Sequence, residues 1–335
     1  MKRLFSGMQP TGSPHIGNYL GAIENWVALQ EQFDAVYSIV DLHALTIEYE
    51  PREMSRRVFE MAAILLACGL DAPNRCTLFV QSHVPQHAEL AWVFNTVTPL
   101  AELYRMTQFK SKAEIHEKNV NCGLLAYPVL QAADILLYKG EVVPVGEDQV
   151  QHIELARIVA RKFNNRFGTE YFPEPMEKVS IAKRVRGLDG QAKMSKSLNN
   201  QIDVIESPES IWEKLRVAVT DPARVRRKDP GNPDNCNMAS LHELFSTAEQ
   251  IEWAKTGCRT AGIGCFECKR VLADNIIARL APIREKALML LEERTTVEQV
   301  LAQGAEKCRD MAATTMKDVR GILGLYQERV APEAS

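Results

Sequence analysis

Three groups of residues in this chain have types and spacings that can do chemistry. The first is GMQPTGSPHIGNYLGAI (7–23), with glycines at 7, 12 and 17 and a histidine at 15. Glycines let a ligand approach the backbone closely, and the amides that open a helix near Asn18 make an anion site that His15 can complete with a further donor. The second is KMSKS (193–197). Lys193 and Lys196, with two serine hydroxyls, can close on a pyrophosphate as charge moves onto it. The third is a set of thiols. Four of the eight cysteines, Cys236, Cys258, Cys265 and Cys268, follow one another as C-x21-C-x6-C-x2-C. A fourth feature is one residue, Asp134, inside the apolar helical stretch AADILLY (132–138). A carboxylate buried there needs a partner.

Such groups work only if the fold brings them together, and the apolar pattern predicts how. Short apolar runs at 3–8, 35–40, 76–81 and 141–146 read as buried strands, separated by helical patterns over 17–32, 51–68, 86–97 and 147–163. That alternation predicts an α/β, Rossmann-type parallel sheet covered by helices on both faces. Ligands in such folds sit where strands end and loops lead into helices. Residues 98–122 interrupt the alternation as an insertion, and 173–200 reads as loop. After Ser207 the pattern becomes helical, over 208–219, 239–255, 266–293 and 296–324. The expected division is a catalytic domain over 1–200, a helical domain over 201–295 holding the four cysteines, and a C-terminal segment, 296–335, packing back toward the first.

The 335 residues, 46% apolar and 25% charged, are those of an ordinary globular protein of about two domains. No apolar run approaches the length of a membrane span. MKRLFSGMQP meets Gly7 and Pro10 too early for the core of a signal peptide, so a cytoplasmic setting is expected. The net charge of −3 hides a basic run, Arg216, Arg224, Arg226, Arg227 and Lys228, suited to phosphates or to solvent. In a reducing setting disulfides are disfavoured, which leaves metal binding, catalysis or coincidence for the thiols. Structural zinc commonly uses two close C-x2-C knuckles, and only Cys265 and Cys268 are that close. The spread suits a [4Fe–4S] cube with one thiolate per iron, with zinc and no metal as the alternatives.

Taken in order, HIGN (15–18) and KMSKS resemble the paired signatures of class I aminoacyl-tRNA synthetases, with Asn18 where the family motif often ends in His. QPTGSPHIGNYLGA, IVDLHALT, YRMTQFK, YPVLQAADILLY and VPVGEDQVQHIELAR narrow the likeness to the bacterial tryptophanyl-tRNA synthetases. The resemblance implies that tryptophan is activated with ATP and Mg²⁺ to tryptophanyl-adenylate, then transferred to the terminal adenosine of tRNA(Trp) by a homodimer. It assigns His15, Lys193 and Lys196 to the reacting phosphates. Gln9, Pro10, Thr11, Gly17, Asn18, Gly146, Glu147, Asp148, Val185, Met194, Ser195 and Ser197 would bind ATP, with Asp148 on the ribose. Phe5, Gln9, His43, Tyr127, Gln131, Asp134, Val143, Val145 and Gln149 would form the amino-acid pocket, with Asp134 accepting the indole N–H. A subset of the family has almost the cysteine spacing found here in its anticodon-binding domain and holds [4Fe–4S] there. Gln131, three residues before Asp134, also resembles a pair that tyrosyl-tRNA synthetases use. The other readings are therefore a tyrosyl enzyme, a small nucleotidylyltransferase, or a synthetase-derived binding or redox-sensing protein.

Overall fold

The computed structural model describes residues 1–107, 120–146, 149–179, 185–195 and 198–326. Five parallel strands form one sheet: β1 (Arg3–Met8), β2 (Asp34–Ile39), β3 (Cys76–Val80), β4 (Val142–Val145) and β5 (Met176–Val179), in the order β3-β2-β1-β4-β5. Successive strands run outward from β1 to one edge, and the chain then returns to β4 on the other side of β1. The reversal opens a crevice at the carboxyl ends of β1 and β4. The interior strands are apolar on both sides because helices cover both faces. Leu4, Tyr37 and Leu78 face one core, and Phe5, Val36 and Phe79 face the other.

The helices that position the site are α1 (Ile16–Asn18), which passes through a π-helical turn at Tyr19–Ile23 into α2 (Glu24–Leu29), α3 (Asp41–Ala44) and α4 (Pro51–Ala67). They are followed by α5 (Gln86–Asn95), α6 (Leu100–Arg105), α7 (Cys122–Leu137) and α8 (Val150–Phe167). α4 begins at Pro51 with Glu50 accepting from the Arg52 amide, and its apolar face (Ile64, Leu65) is buried. α7 is buried on nearly every side, which is why its sequence has no polar stripe.

The helical remainder comprises α9 (Pro208–Val217), α10 (Asn237–Phe245), α11 (Ala248–Arg259), α12 (Cys265–Glu292) and α13 (Arg294–Ile322). α12 packs against α4 and α9, so the helical part shares one core with the sheet. α13 runs back across the molecule and covers the outer edge of β3. An edge strand otherwise exposes a row of unpaired backbone groups. The approach is so close that a Cβ on Gly304 would stand 2.0 Å from the Leu78 carbonyl oxygen.

Two expectations are corrected. The stretch 173–200 contains β5, a short edge strand that is mostly exposed and so has no apolar signature. The single helix expected over 239–255 is two, because Thr247 breaks the run and starts α11 with a reciprocal cap to Gln250.

Candidate active site

A cavity of about 360 Å³ lies at the crevice between β1 and β4. All nine residues assigned to the amino-acid pocket, from Phe5 to Gln149, line it, as does Gly146. β1 and β4 supply Phe5, Val143 and Val145; α7 supplies Tyr127, Gln131 and Asp134; His43 comes from α3. Trp26 of α2 adds a further apolar wall that sequence spacing did not single out.

Asp134 is 1% exposed. Its Oδ2 is 2.7 Å from His43 Nε2, and its Oδ1 is 2.6 Å from both Gln81 Nε2 and His87 Nδ1. Burial alone would push its pKa up, but the two histidines outweigh that and hold it well below the usual carboxylate range. The result is an ionised acceptor in an apolar wall. Gln81 and His87 escaped the sequence reading because one follows the end of β3 and the other lies in the first turn of α5, with no local spacing that ties either to position 134. Among the described residues no hydrogen bond joins Gln131 to Asp134. Tyr127 meets His152 Nε2 at 3.0 Å, and burial raises its phenol to about 12.

Beside the cavity, the HIGN turn is locked by a reciprocal cap. The Gly17 and Asn18 amides donate to His15 Nδ1 at 3.1 and 3.3 Å, while the His15 amide donates to Asn18 Oδ1 at 3.1 Å. With Nδ1 accepting, the proton of a neutral ring sits on Nε2, the atom that can then donate to an anion. The turn is strapped to the next segment by Ile16 N–H to Ile202 O (2.9 Å) and Val204 N–H to Pro14 O (2.9 Å). Residues 186 and 193 pair in a small hairpin that carries Lys193, Met194 and Ser195 up to this turn. Val185 lies against Gly17, where an added Cβ would stand 3.6 Å from its own Cβ. Asn200 holds the hairpin, accepting from the Ser195 amide at 2.8 Å and donating to Asp189 at 2.8 Å. Glu147, Asp148, Lys196 and Ser197 lie outside the described residues. Gln9 lines the cavity, while Pro10 and Thr11 follow it into the turn.

The four cysteines come from three places. Cys236 precedes α10, Cys258 lies near the end of α11, and Cys265 and Cys268 occupy the first turn of α12. The helix start is a favourable place for negative charge. The thiols lie within electrostatic reach of one another: burial and the other three thiols push Cys268 up to about 12. Two cations flank them. Arg224, 9% exposed, places Nη1 3.8 Å from Cys258 Sγ, and the Lys269 ammonium is held by the Arg216 and Ala218 carbonyls at 2.9 and 2.6 Å. None of the four is in a disulfide. Among the described residues, no group of three or more His, Cys, Asp or Glu side chains is arranged to hold a metal ion.

Comparison with known proteins adds an independent line. Residues 1–281 match the family model of class I tRNA synthetases for W and Y. A tryptophan–tRNA ligase of Deinococcus radiodurans is 52% identical over 98% of this chain and 100% of its own length. One from Thermotoga maritima is 44% identical over 96% and 99%. The crystal structure of tryptophanyl-tRNA synthetase from Campylobacter jejuni, complexed with ADP and tryptophan, superposes with a TM-score of 0.87 at 35% identity, covering 96% of this chain and all of that one.

Proposed function

The chain belongs to the class I tRNA synthetases for tryptophan and tyrosine, and from that premise we propose how its residues charge tRNA with tryptophan. It activates L-tryptophan with ATP, as the Mg²⁺ complex, to tryptophanyl-adenylate and pyrophosphate, and transfers the aminoacyl group to the terminal adenosine of tRNA(Trp). The observation that carries the side-chain assignment is Asp134, an ionised acceptor in the wall of an otherwise largely apolar cavity. An indole N–H is donor-only, so such an acceptor selects it. Phe5, Val143 and Val145 enclose the ring, and Tyr127 and Gln149 hold the ammonium.

The tryptophan carboxylate then attacks the α-phosphate in line. Little covalent help is needed; positioning and charge stabilisation supply the rate. Gln9, Pro10, Thr11, Gly17, Asn18 and Gly146 hold ATP, together with Glu147 and Asp148. His15 donates to the phosphates through Nε2. Lys193 and Lys196, with Val185, Met194, Ser195 and Ser197 around them, close on the leaving pyrophosphate, each contact stabilising the transition state by about 3 kcal/mol. The homodimer, the cytoplasmic setting, the division into domains over 1–200, 201–295 and 296–335, and anticodon reading by the helical part belong to the same reading. No described helix is long and apolar enough to cross a membrane.

We propose further that Cys236, Cys258, Cys265 and Cys268 hold a [4Fe–4S] cluster, with zinc as the alternative. What supports this is the spacing of the four thiols in the sequence and their lying within electrostatic reach of one another beside the cations of Arg224 and Lys269, although their side chains are not arranged around a common metal position. Such a group would tie the starts of α10 and α12 to the end of α11.

One experiment tests both parts. Protein purified anaerobically is analysed for iron, sulfide and zinc, then assayed for charging purified tRNA with tryptophan and with tyrosine. The expected result is iron with sulfide and charging with tryptophan. Faster charging with tyrosine overturns the amino-acid assignment, and stoichiometric zinc without sulfide overturns the cluster.

A further inference from the structure

Asp134 reaches the cavity from a wall that is itself held from behind. Of its three side-chain partners, only His43 lines the cavity, and it meets Oδ2. Gln81 and His87 lie outside the lining, are fully buried, and both donate to Oδ1 at 2.6 Å. A carboxylate oxygen has two lone pairs, so two donors saturate Oδ1.

Each donor is held in turn. Gln81 Oε1 accepts the Leu42 N–H at 3.1 Å, which turns its amide nitrogen toward Asp134 and ties it to the helix that carries His43. His87 stacks on Phe79, with ring centroids 5.8 Å apart, and its Nε2 is 2.7 Å from the Tyr138 hydroxyl. With Nδ1 donating to the carboxylate, Nε2 of a neutral ring accepts from that hydroxyl. Tyr138, 1% exposed, packs in the same core as the buried Cys308 of α13. The hydrogen-bonded series runs from Tyr138 through His87 to the cavity wall, with α13 packed behind it.

We propose that Gln81, His87 and Tyr138 are positioning residues for tryptophan specificity. They occupy Oδ1 from behind the wall and so present Oδ2, shared only with His43 among the described residues, as the acceptor for the indole N–H. Second-layer partners of this kind fix the orientation of a group that a substrate reads. The proposal rests on the reading that Asp134 accepts the indole N–H.

The test compares tryptophan with its isostere β-(benzothiophen-3-yl)alanine, in which sulfur replaces the N–H. The quantity read is the ratio of their kcat/KM values in ATP–pyrophosphate exchange. In His87→Met and Gln81→Met the ratio should fall about tenfold, the effect of losing one hydrogen bond to a charged group. His87→Asn, which keeps a donor near the Nδ1 position, should retain most of it. A merely structural role lowers both substrates alike and leaves the ratio unmoved, and that result overturns the proposal. Should the methionine variants fail to fold, Tyr138→Phe decides, since it removes one oxygen: a fall of about threefold supports the relay, and an unchanged ratio overturns it. The wild-type ratio separates the two layers of the argument. No preference for tryptophan over the isostere overturns the role of Asp134 itself, whereas a strong preference kept by every variant overturns only the positioning.

Discussion

Gly17 shows how little room the phosphate-facing turn leaves. A Cβ there would lie 2.9 Å from Nδ1 and Cε1 of the His15 ring, and Nδ1 is the atom that accepts the Gly17 and Asn18 amides. Gly17→Ala must therefore push His15 off its cap and rotate the atom meant for the phosphates. Adenylate formation should slow by about 100-fold, the scale of losing one preorganised donor. Tryptophan affinity, read by fluorescence, should change little, because the pocket residues are untouched; an unchanged single-turnover rate would remove His15 from the mechanism. At this scale the sequence was informative where chemistry is local. The HIGN glycines and the lysines of KMSKS announce themselves by type and spacing, and Asp134 by being a carboxylate in an apolar helix. The partners of Asp134 were not legible. Gln81 and His87 reach it across 53 and 47 residues of chain, so only the packing of β3, α5 and α7 brings them to one point.

At the scale of elements, the hairpin carrying Lys193 is held by single side chains. Asn237 Nδ2 donates to the Gly187 carbonyl at 2.7 Å, and Asn237 immediately follows Cys236. A Cβ at Gly187 would meet Asn200 Nδ2 at 2.0 Å, so the turn has no slack on its other side. Asn237→Ala leaves that carbonyl with the Gly190 N–H alone, at 2.9 Å, and removes its tie to the helical part, at a cost of about 1 kcal/mol. Its expected effect is a lower kcat for adenylate formation, with KM for tryptophan nearly constant, because the hairpin and not the pocket loosens; a change confined to KM would refute the assignment. The buried strands were readable almost to the residue, since β1 to β4 are apolar runs bounded by turns. β5 was not, because an exposed edge strand carries no burial signal. The break between α10 and α11 was lost for a related reason: the apolar pattern continues across it, and only the cap at Thr247 marks the boundary.

Over the whole molecule, buried protonated groups set the alkaline limit of stability. Burial raises the thiols of Cys68, Cys76 and Cys308 from 9.0 to about 12. A raised pKa means that the folded state holds the proton more tightly than the unfolded one. Its stabilisation is complete below the unfolded value and is lost as pH climbs through the interval up to the folded value. The urea midpoint should therefore fall steadily between about pH 9 and about pH 12. Cys76→Ala should be less stable near neutral pH yet lose less on the alkaline side; an identical slope would show that the thiol carries none of the effect. The parallel sheet and the helical remainder were legible from alternating and helical apolar periods. That the C-terminal segment turns back toward the first domain was expected, but its embrace of the sheet edge was not legible, because nothing in the sequence of α13 says which surface it covers. That embrace has a consequence for biosynthesis. β3 and the wall behind Asp134 are translated long before residues 294–322, the helix that protects the one and packs behind the other. A nascent chain stalled before that helix emerges exposes an unpaired strand edge, a site for pairing with neighbouring chains. Messages cut short in this region should yield aggregates and not a partly active enzyme, which makes the ribosome's completion of α13 a quality checkpoint on an enzyme that itself serves the ribosome.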